Sequence, residues 1–125
     1  MDRKTTAVDL KRQGCNCCQA VLLAYADIMQ MDSEELMALG ASFGAGMGCM
    51  KATCGALVGA GMVLGIANAG KGRTGMKAKA LLNDFEEKCG AAICGELKGI
   101  KTGKVLCPCD QCVANAVEAL EKLRQ

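Results

Sequence analysis

The stretch Ala52-Thr53-Cys54-Gly55-Ala56-Leu57-Val58-Gly59-Ala60-Gly61-Met62-Val63-Leu64-Gly65-Ile66-Ala67-Asn68-Ala69-Gly70 decides the fold. It runs for 19 residues without a formal charge, a length that just reaches across a bilayer. Its large apolar residues are Leu57, Val58, Met62, Val63, Leu64 and Ile66, diluted by five glycines, Thr53 and Asn68. That composition predicts a buried central helix over about Thr53 to Ala69, and no membrane span. Gly55 and Gly59 stand four apart, as do Gly61 and Gly65. Each glycine costs about 0.8–1 kcal/mol in a helix interior relative to alanine, so something must require the missing side chains. Close helix packing is one reason. The other is backbone approach to a bulky bound group near Cys54, which makes Gly55 and Gly59 the candidate cofactor-binding positions.

The rest of the chain also reads as helix, and no segment alternates with a strand period. Asp2 to Gln13 forms a first helix that ends at Gly14, a natural position after a helix end. Asn16 caps a second helix that runs to about Met29 and presents Val21, Leu22, Tyr25 and Ile28. Asp32 and Glu35 have capping-box spacing for a third, which Gly44, Gly46 and Gly48 break. Thr74 opens a helix through Leu81, Leu82 and Phe85 to Lys88. A short turn follows around Cys94 to Leu97, then a basic loop, Gly99 to Leu106. Pro108, the single proline, starts a last helix with Val113, Ala116, Val117, Leu120 and Leu123 on one face. The expectation is an all-α bundle of about five to seven helices around the Gly/Ala-rich one, with residues 1–125 as a single domain.

Composition narrows the function. Aromatics make up 2% of the chain: Phe43, Phe85 and Tyr25. The core must therefore be small and aliphatic. The formal charge of +2 and the lack of aromatic platforms argue against nucleic acid. Histidine is absent, which excludes an imidazole base, a Cys–His pair and a His-ligated metal. Cysteine numbers ten. The N-terminus, Met1-Asp2-Arg3-Lys4-Thr5-Thr6, shows no apolar signal segment. A cysteine-dense chain without one points to a cytoplasmic metal or thiol-redox protein more than to a disulfide scaffold.

The cysteines fall into four groups: Cys15/Cys17/Cys18, Cys49/Cys54, Cys89/Cys94 and Cys107/Cys109/Cys112. Cys17, Cys54 and Cys109 each fall in the first turn of an expected helix. There the free N–H groups and the dipole favour thiolate over thiol. Cys18 shares the apolar face of Val21, Leu22 and Tyr25 and reads as a small core residue. Cys109-Asp110-Gln111-Cys112 is a lone C-x-x-C without the βαβ setting of a thioredoxin-like dithiol. Zinc-ribbon and ferredoxin spacings are both missing. Cys49-Met50-Lys51-Ala52-Thr53-Cys54-Gly55 is faintly echoed by Cys89-Gly90-Ala91-Ala92-Ile93-Cys94-Gly95. Gly70-Lys71-Gly72-Arg73-Thr74-Gly75 fits G-x-G-x-x-G but follows a helix, and Met76 stands where a P-loop needs lysine, so it reads as a basic loop. The eight methionines read as core gap-fillers, not copper ligands.

Asn16-Cys17 with Gln19-Ala20-Val21, then Cys54-Gly55-Ala56-Leu57-Val58-Gly59, then Cys94-Gly95-Glu96-Leu97, then Cys109 four residues before Val113, together resemble the C-GCAxxG-C-C family of redox-active proteins. The resemblance spans almost the whole chain. It implies a small all-α fold like the helical part of split-Soret cytochromes c, dimerisation, and an iron–sulfur cluster. Cys17, Cys54, Cys94 and Cys109 match the family's four cysteines and become the candidate metal ligands. Cys15, Cys18, Cys49, Cys89, Cys107 and Cys112 lie outside that pattern. Three functions stay open. The first is an iron–sulfur electron carrier or sensor serving a redox partner protein. The second is a metal-free thiol–disulfide protein in which Cys109 attacks and Cys112, Cys54 or Cys17 resolves. The third is a structural zinc site or set of disulfide staples.

Overall fold

The computed structural model describes residues 2–69 and 71–124, so Gly70, the first glycine of the G-x-G-x-x-G pattern, lies outside it. The helices are α1 (Arg3–Arg12), α2 (Cys17–Ala24), α3 (Ala26–Met29), α4 (Ser33–Gly40), α5 (Gly55–Ala67), α6 (Thr74–Cys89), α7 (Cys94–Lys98) and α8 (Cys109–Arg124). Among the described residues there is no strand, only an isolated antiparallel bridge between Thr53 and Ile93. The all-α expectation holds. Among the described residues the helix number rises to eight because the second expected helix divides at Tyr25, where φ −118° and ψ 25° interrupt the α2–α3 path.

Tertiary contacts account for that break. Tyr25 is fully buried. Its hydroxyl donates to Glu121 Oε2 at 2.9 Å, and the Arg3 guanidinium lies 4.5 Å from its ring centroid. These partners on α8 and α1 fix the ring at the break, and a buried hydroxyl needs such an acceptor. Gln30, at φ 55°, then ends α3.

Local chemistry sets the other boundaries. Asn16 and Gln19 form a reciprocal capping box at α2, with side chain to backbone distances of 2.8 and 2.9 Å. Asp32 and Glu35 form a second box at α4. The α2 cap also holds its neighbour: Asn16 Nδ2 donates to the Gly40 carbonyl and Gln19 Nε2 to the Met37 carbonyl. Gly90, at φ 92°, closes α6. Residues Gly46–Met50 form a wide turn containing left-handed backbone at Met47 and Gly48.

The core is aliphatic and contains sulfur. α5 packs against α2, α8, α6 and α3, while α1 closes over α8 and α2. Val21, Leu22, Val63, Phe85, Val113, Val117 and Leu120 are buried at its centre. None of the helices among the described residues is long and apolar enough to cross a membrane.

Candidate metal and redox centre

Cys17 begins α2, Cys54 is the N-cap residue of α5, Cys94 begins α7 and Cys109 begins α8. Two backbone hydrogen bonds flank the Thr53–Ile93 bridge: Cys54 N–H donates to the Ala92 carbonyl at 2.8 Å, and Cys94 N–H donates to the Ala52 carbonyl at 2.9 Å. The two Cys-x4-Cys-Gly echoes therefore lie side by side, and their second cysteines are pinned together. Glycines permit the close fit. A Cβ on Gly46 would stand 2.6 Å from Cys94 Cβ, and one on Gly95 would stand 2.7 Å from the Met50 carbonyl. Gly55 and Gly59 face protein: a Cβ on Gly55 would meet the Phe43 carbonyl at 2.6 Å, and one on Gly59 the Cys18 carbonyl at 3.0 Å. Their absent side chains bring the starts of α2 and α5, and so Cys17 and Cys54, together.

The sulfurs feel one another. Burial, and then the charges of Cys54 and Cys109, push the Cys17 thiol up to about 12. Burial raises Cys94 too, with Cys54 and Cys109 adding to the rise. Cys54 is drawn down to about 7, chiefly by a hydrogen bond from Cys112 and further by the Ala56 and Leu57 amides in the first turn of α5. The four family-pattern cysteines thus lie within electrostatic reach through Cys54 and Cys109.

A tighter group adjoins them. The sulfurs of Cys89, Cys107 and Cys112 all lie within 4.8 Å of one another, all three residues are buried, and together they could hold a metal ion. Cys89 comes from the end of α6 and Cys112 from the second turn of α8. Cys107 precedes α8 and is tied to α7 by its N–H to the Leu97 carbonyl. Cys112 Sγ stands 3.5 Å from the Cys107 carbonyl. Hydrogen bonding to Cys54 and Cys89, with burial, drives its thiol strongly upward. Cys112 is the hydrogen-bond donor to both sulfurs. That donation, outweighing burial and helped by Asn115, brings Cys89 down to about 6. Burial lifts Cys107 to about 11. Asn115 Nδ2 donates to Cys89 Sγ at 3.2 Å.

Lys98 links the two groups. Its Nζ lies 3.0 Å from the Cys107 carbonyl and 3.6 Å from Cys112 Sγ. Burial alone would lower this ammonium, but Cys112, Cys109 and Cys54 around it raise it overall. One cation thus faces sulfurs of both groups. The remaining cysteines lie elsewhere. Cys15 Sγ is 3.9 Å from Met37 Sδ, and Cys49 is exposed, 3.8 Å from the Gly46 carbonyl. Cys18 is fully buried, and burial pushes it up to about 11.

Sequence spacing did not point to Cys89, Cys107 and Cys112 as a unit, because the trio crosses two sequence groups and joins residues 18 apart at its widest chain gap (Cys89 to Cys107). The one local signal was Cys112 with Asn115, which lie on the same helix face three residues apart. Of the two C-x-x-C cysteines, Cys112 is wholly buried among the trio and Cys109 is partly exposed beside Lys98.

The family described as "Putative redox-active protein (C_GCAxxG_C_C)" matches residues 15–123. Neither a curated protein nor a solved structure matches the chain.

Proposed function

We propose, for a chain that belongs to the C-GCAxxG-C-C family of redox-active proteins, that Cys17, Cys54, Cys94 and Cys109 hold an iron–sulfur cluster and make the protein an electron carrier or sensor. One observation carries this reading: each of the four opens a helix, and backbone hydrogen bonds across the Thr53–Ile93 bridge hold Cys54 beside Cys94. The donor set suits the group, since thiolates are the usual ligands of such clusters. When bound, the cluster would accept and release single electrons. The chain's own groups provide the setting. The positive dipole ends of α2, α5 and α8 stand at these cysteines, and the Ala56 and Leu57 amides hydrogen-bond Cys54. Lys98 adds a full positive charge, and buried Cys18 and Leu57 keep water from the α2–α5 side. Gly55 and Gly59 serve the site by letting α2 approach α5. A homodimer passing electrons to a redox partner protein in the cytoplasm completes the proposal.

Oxygen-free protein should contain iron and sulfide in fixed ratio and absorb in the visible. Cys54→Ser should lose both while keeping its helical circular dichroism. Full iron retention in Cys54→Ser, or zinc in place of iron and sulfide, overturns the assignment.

A second reading has its own support, the Lys98 ammonium beside partly exposed Cys109. The Cys109 thiolate would displace one sulfur of a partner's disulfide, which leaves as a thiolate and takes a proton. A second cysteine then attacks the mixed disulfide, leaving this chain oxidised by two electrons and the partner's disulfide reduced to two thiols. Iron-free protein whose Cys109→Ser variant no longer reduces a disulfide substrate would establish this route instead.

A further inference from the structure

We propose that Cys89, Cys107 and Cys112 form a second centre, adjoining the family-pattern cysteines, which binds one Cu(I) ion through three thiolates. Coordination geometry supports it first. A metal–thiolate bond is about 2.3 Å long, so three sulfurs arranged in a triangle around one ion stand about 4.0 Å apart, as that bond length requires. The observed sulfurs already lie within 4.8 Å of one another, and a small inward rotation of the side chains would complete the triangle.

The ligand chemistry then selects the ion. The donors are three soft sulfurs, and no carboxylate belongs to the group. Thiolates select Cu(I), zinc and iron–sulfur clusters. Zinc takes four ligands, the fourth being another side chain or a water. Here the three side chains are 4%, 3% and 0% exposed, so bulk solvent does not supply a fourth ligand. Cys54 at the start of α5 hydrogen-bonds Cys112 but does not lie within 4.8 Å of all three sulfurs, so it is no member of the group. A monovalent ion content with three sulfurs fits what remains.

The surroundings are built for extra negative charge. Three thiolates around one monovalent cation carry two net negative charges. Lys98 Nζ, 3.6 Å from Cys112 Sγ, offsets one. Asn115 Nδ2 donates to Cys89 Sγ at 3.2 Å and approaches Cys107 Sγ at 3.9 Å. Such outer hydrogen bonds orient metal ligands. Asn115 is itself buried, and Gln111 Nε2 donates to its Oδ1 at 2.9 Å, which fixes the amide with its N–H groups toward the sulfurs. On binding, three S–Cu bonds form, and each proton still held by these sulfurs passes to solvent. No electron moves.

The test uses the full chain, purified without oxygen, with Cu(I) delivered from a competing Cu(I) chelator. One copper should bind per chain, and copper X-ray absorption should give three sulfur neighbours at a single distance. Cys107→Ser should weaken copper about 100-fold or more while leaving iron and sulfide content unchanged. Cys17→Ser should lose iron and retain copper, so the two centres fail independently. Two or four sulfur neighbours, copper lost with Cys17→Ser, iron lost with Cys107→Ser, or zinc displacing copper each overturn the proposal. The wild-type absorption measurement decides the matter even if Cys107→Ser does not fold.

Discussion

The first half of α5 and its second half carry the same spacing of glycines and meet opposite surroundings. Gly55 and Gly59 lie against α2 and the Phe43 carbonyl, where an added Cβ would come within 2.6 to 3.2 Å of its nearest neighbours. Gly61 and Gly65 have nothing within 4 Å of that position. The first pair is a structural requirement of the sulfur-bearing end. The second pair weakens the helix without a neighbour that needs it. A repeated motif can thus be essential at one end of a helix and dispensable at the other, because the cost of a side chain is set by what stands across from it and not by the spacing.

The largest expected effect follows at Gly55. In Gly55→Ala the new methyl meets a backbone carbonyl, which cannot rotate away, so either α5 or the 41–43 turn must shift. Overpacking of this kind costs about 1–3 kcal/mol, and here the upper part of that range applies. The displacement falls between Cys17 and Cys54. Denaturant unfolding should show the loss, and iron content should fall with it. A variant of wild-type stability would show that the two helix starts are not in close contact. Gly59→Ala comes next. Its methyl would stand 3.0 Å from the Cys18 carbonyl and 3.2 Å from Val21 Cβ, a contact that a few tenths of an ångström relieves. The gain in helix propensity offsets part of the strain. A net loss of about 1 kcal/mol is expected, within the same overpacking range, with iron content retained.

Gly61→Ala and Gly65→Ala should change sign. Each should stabilise by about 0.8–1 kcal/mol through helix propensity and a less flexible unfolded chain, raising the melting temperature by about 4 °C per substitution. If either instead destabilises and converts a dimer to monomer in sedimentation, the open face of α5 is covered by a second copy in solution. That outcome would sharpen the contrast: both halves of the helix would then use their glycines, one within the chain and one between chains.

The contrast also shows how far the sequence could be read. Helix starts were legible because their chemistry is local: Asn16 with Gln19 and Asp32 with Glu35 satisfy their own backbone N–H groups. The division of the glycines was not, since both pairs look identical until Phe43 and Cys18 are placed opposite one of them. The break at Tyr25 was hidden for the same reason, its partners being Glu121 and Arg3. At the sulfur centre, Cys54 and Cys94 are brought together by hydrogen bonds to Ala92 and Ala52, and backbone carbonyls leave no mark on residue type. Cys89, Cys107 and Cys112 are united only once α6, α7 and α8 have packed.

The end remote from the sulfurs supplies the smallest effect, and one confined to acid. Arg3 holds Asp27 through two hydrogen bonds of 2.8 and 2.9 Å, and those bonds, with the nearby guanidinium charge, hold the Asp27 carboxyl down to about 2 from an ordinary 3.8. A carboxyl depressed in the folded state contributes stability that is fully present above its unfolded value and is lost as pH falls through its folded value. The window here is therefore about pH 4 to 2, bounded by those two values. Asp27 is open to solvent, so the contribution is small and salt weakens it. Asp27→Asn should lower the melting temperature slightly at pH 7, and the gap to wild type should close as pH drops through that window, because the protonated wild-type side chain is then neutral as well. The Arg3 stacking on Tyr25 survives in both proteins, so it cancels in the comparison. A gap that persists unchanged at pH 2 would mean that Asp27 acts through packing at the start of α3 and not through its charge.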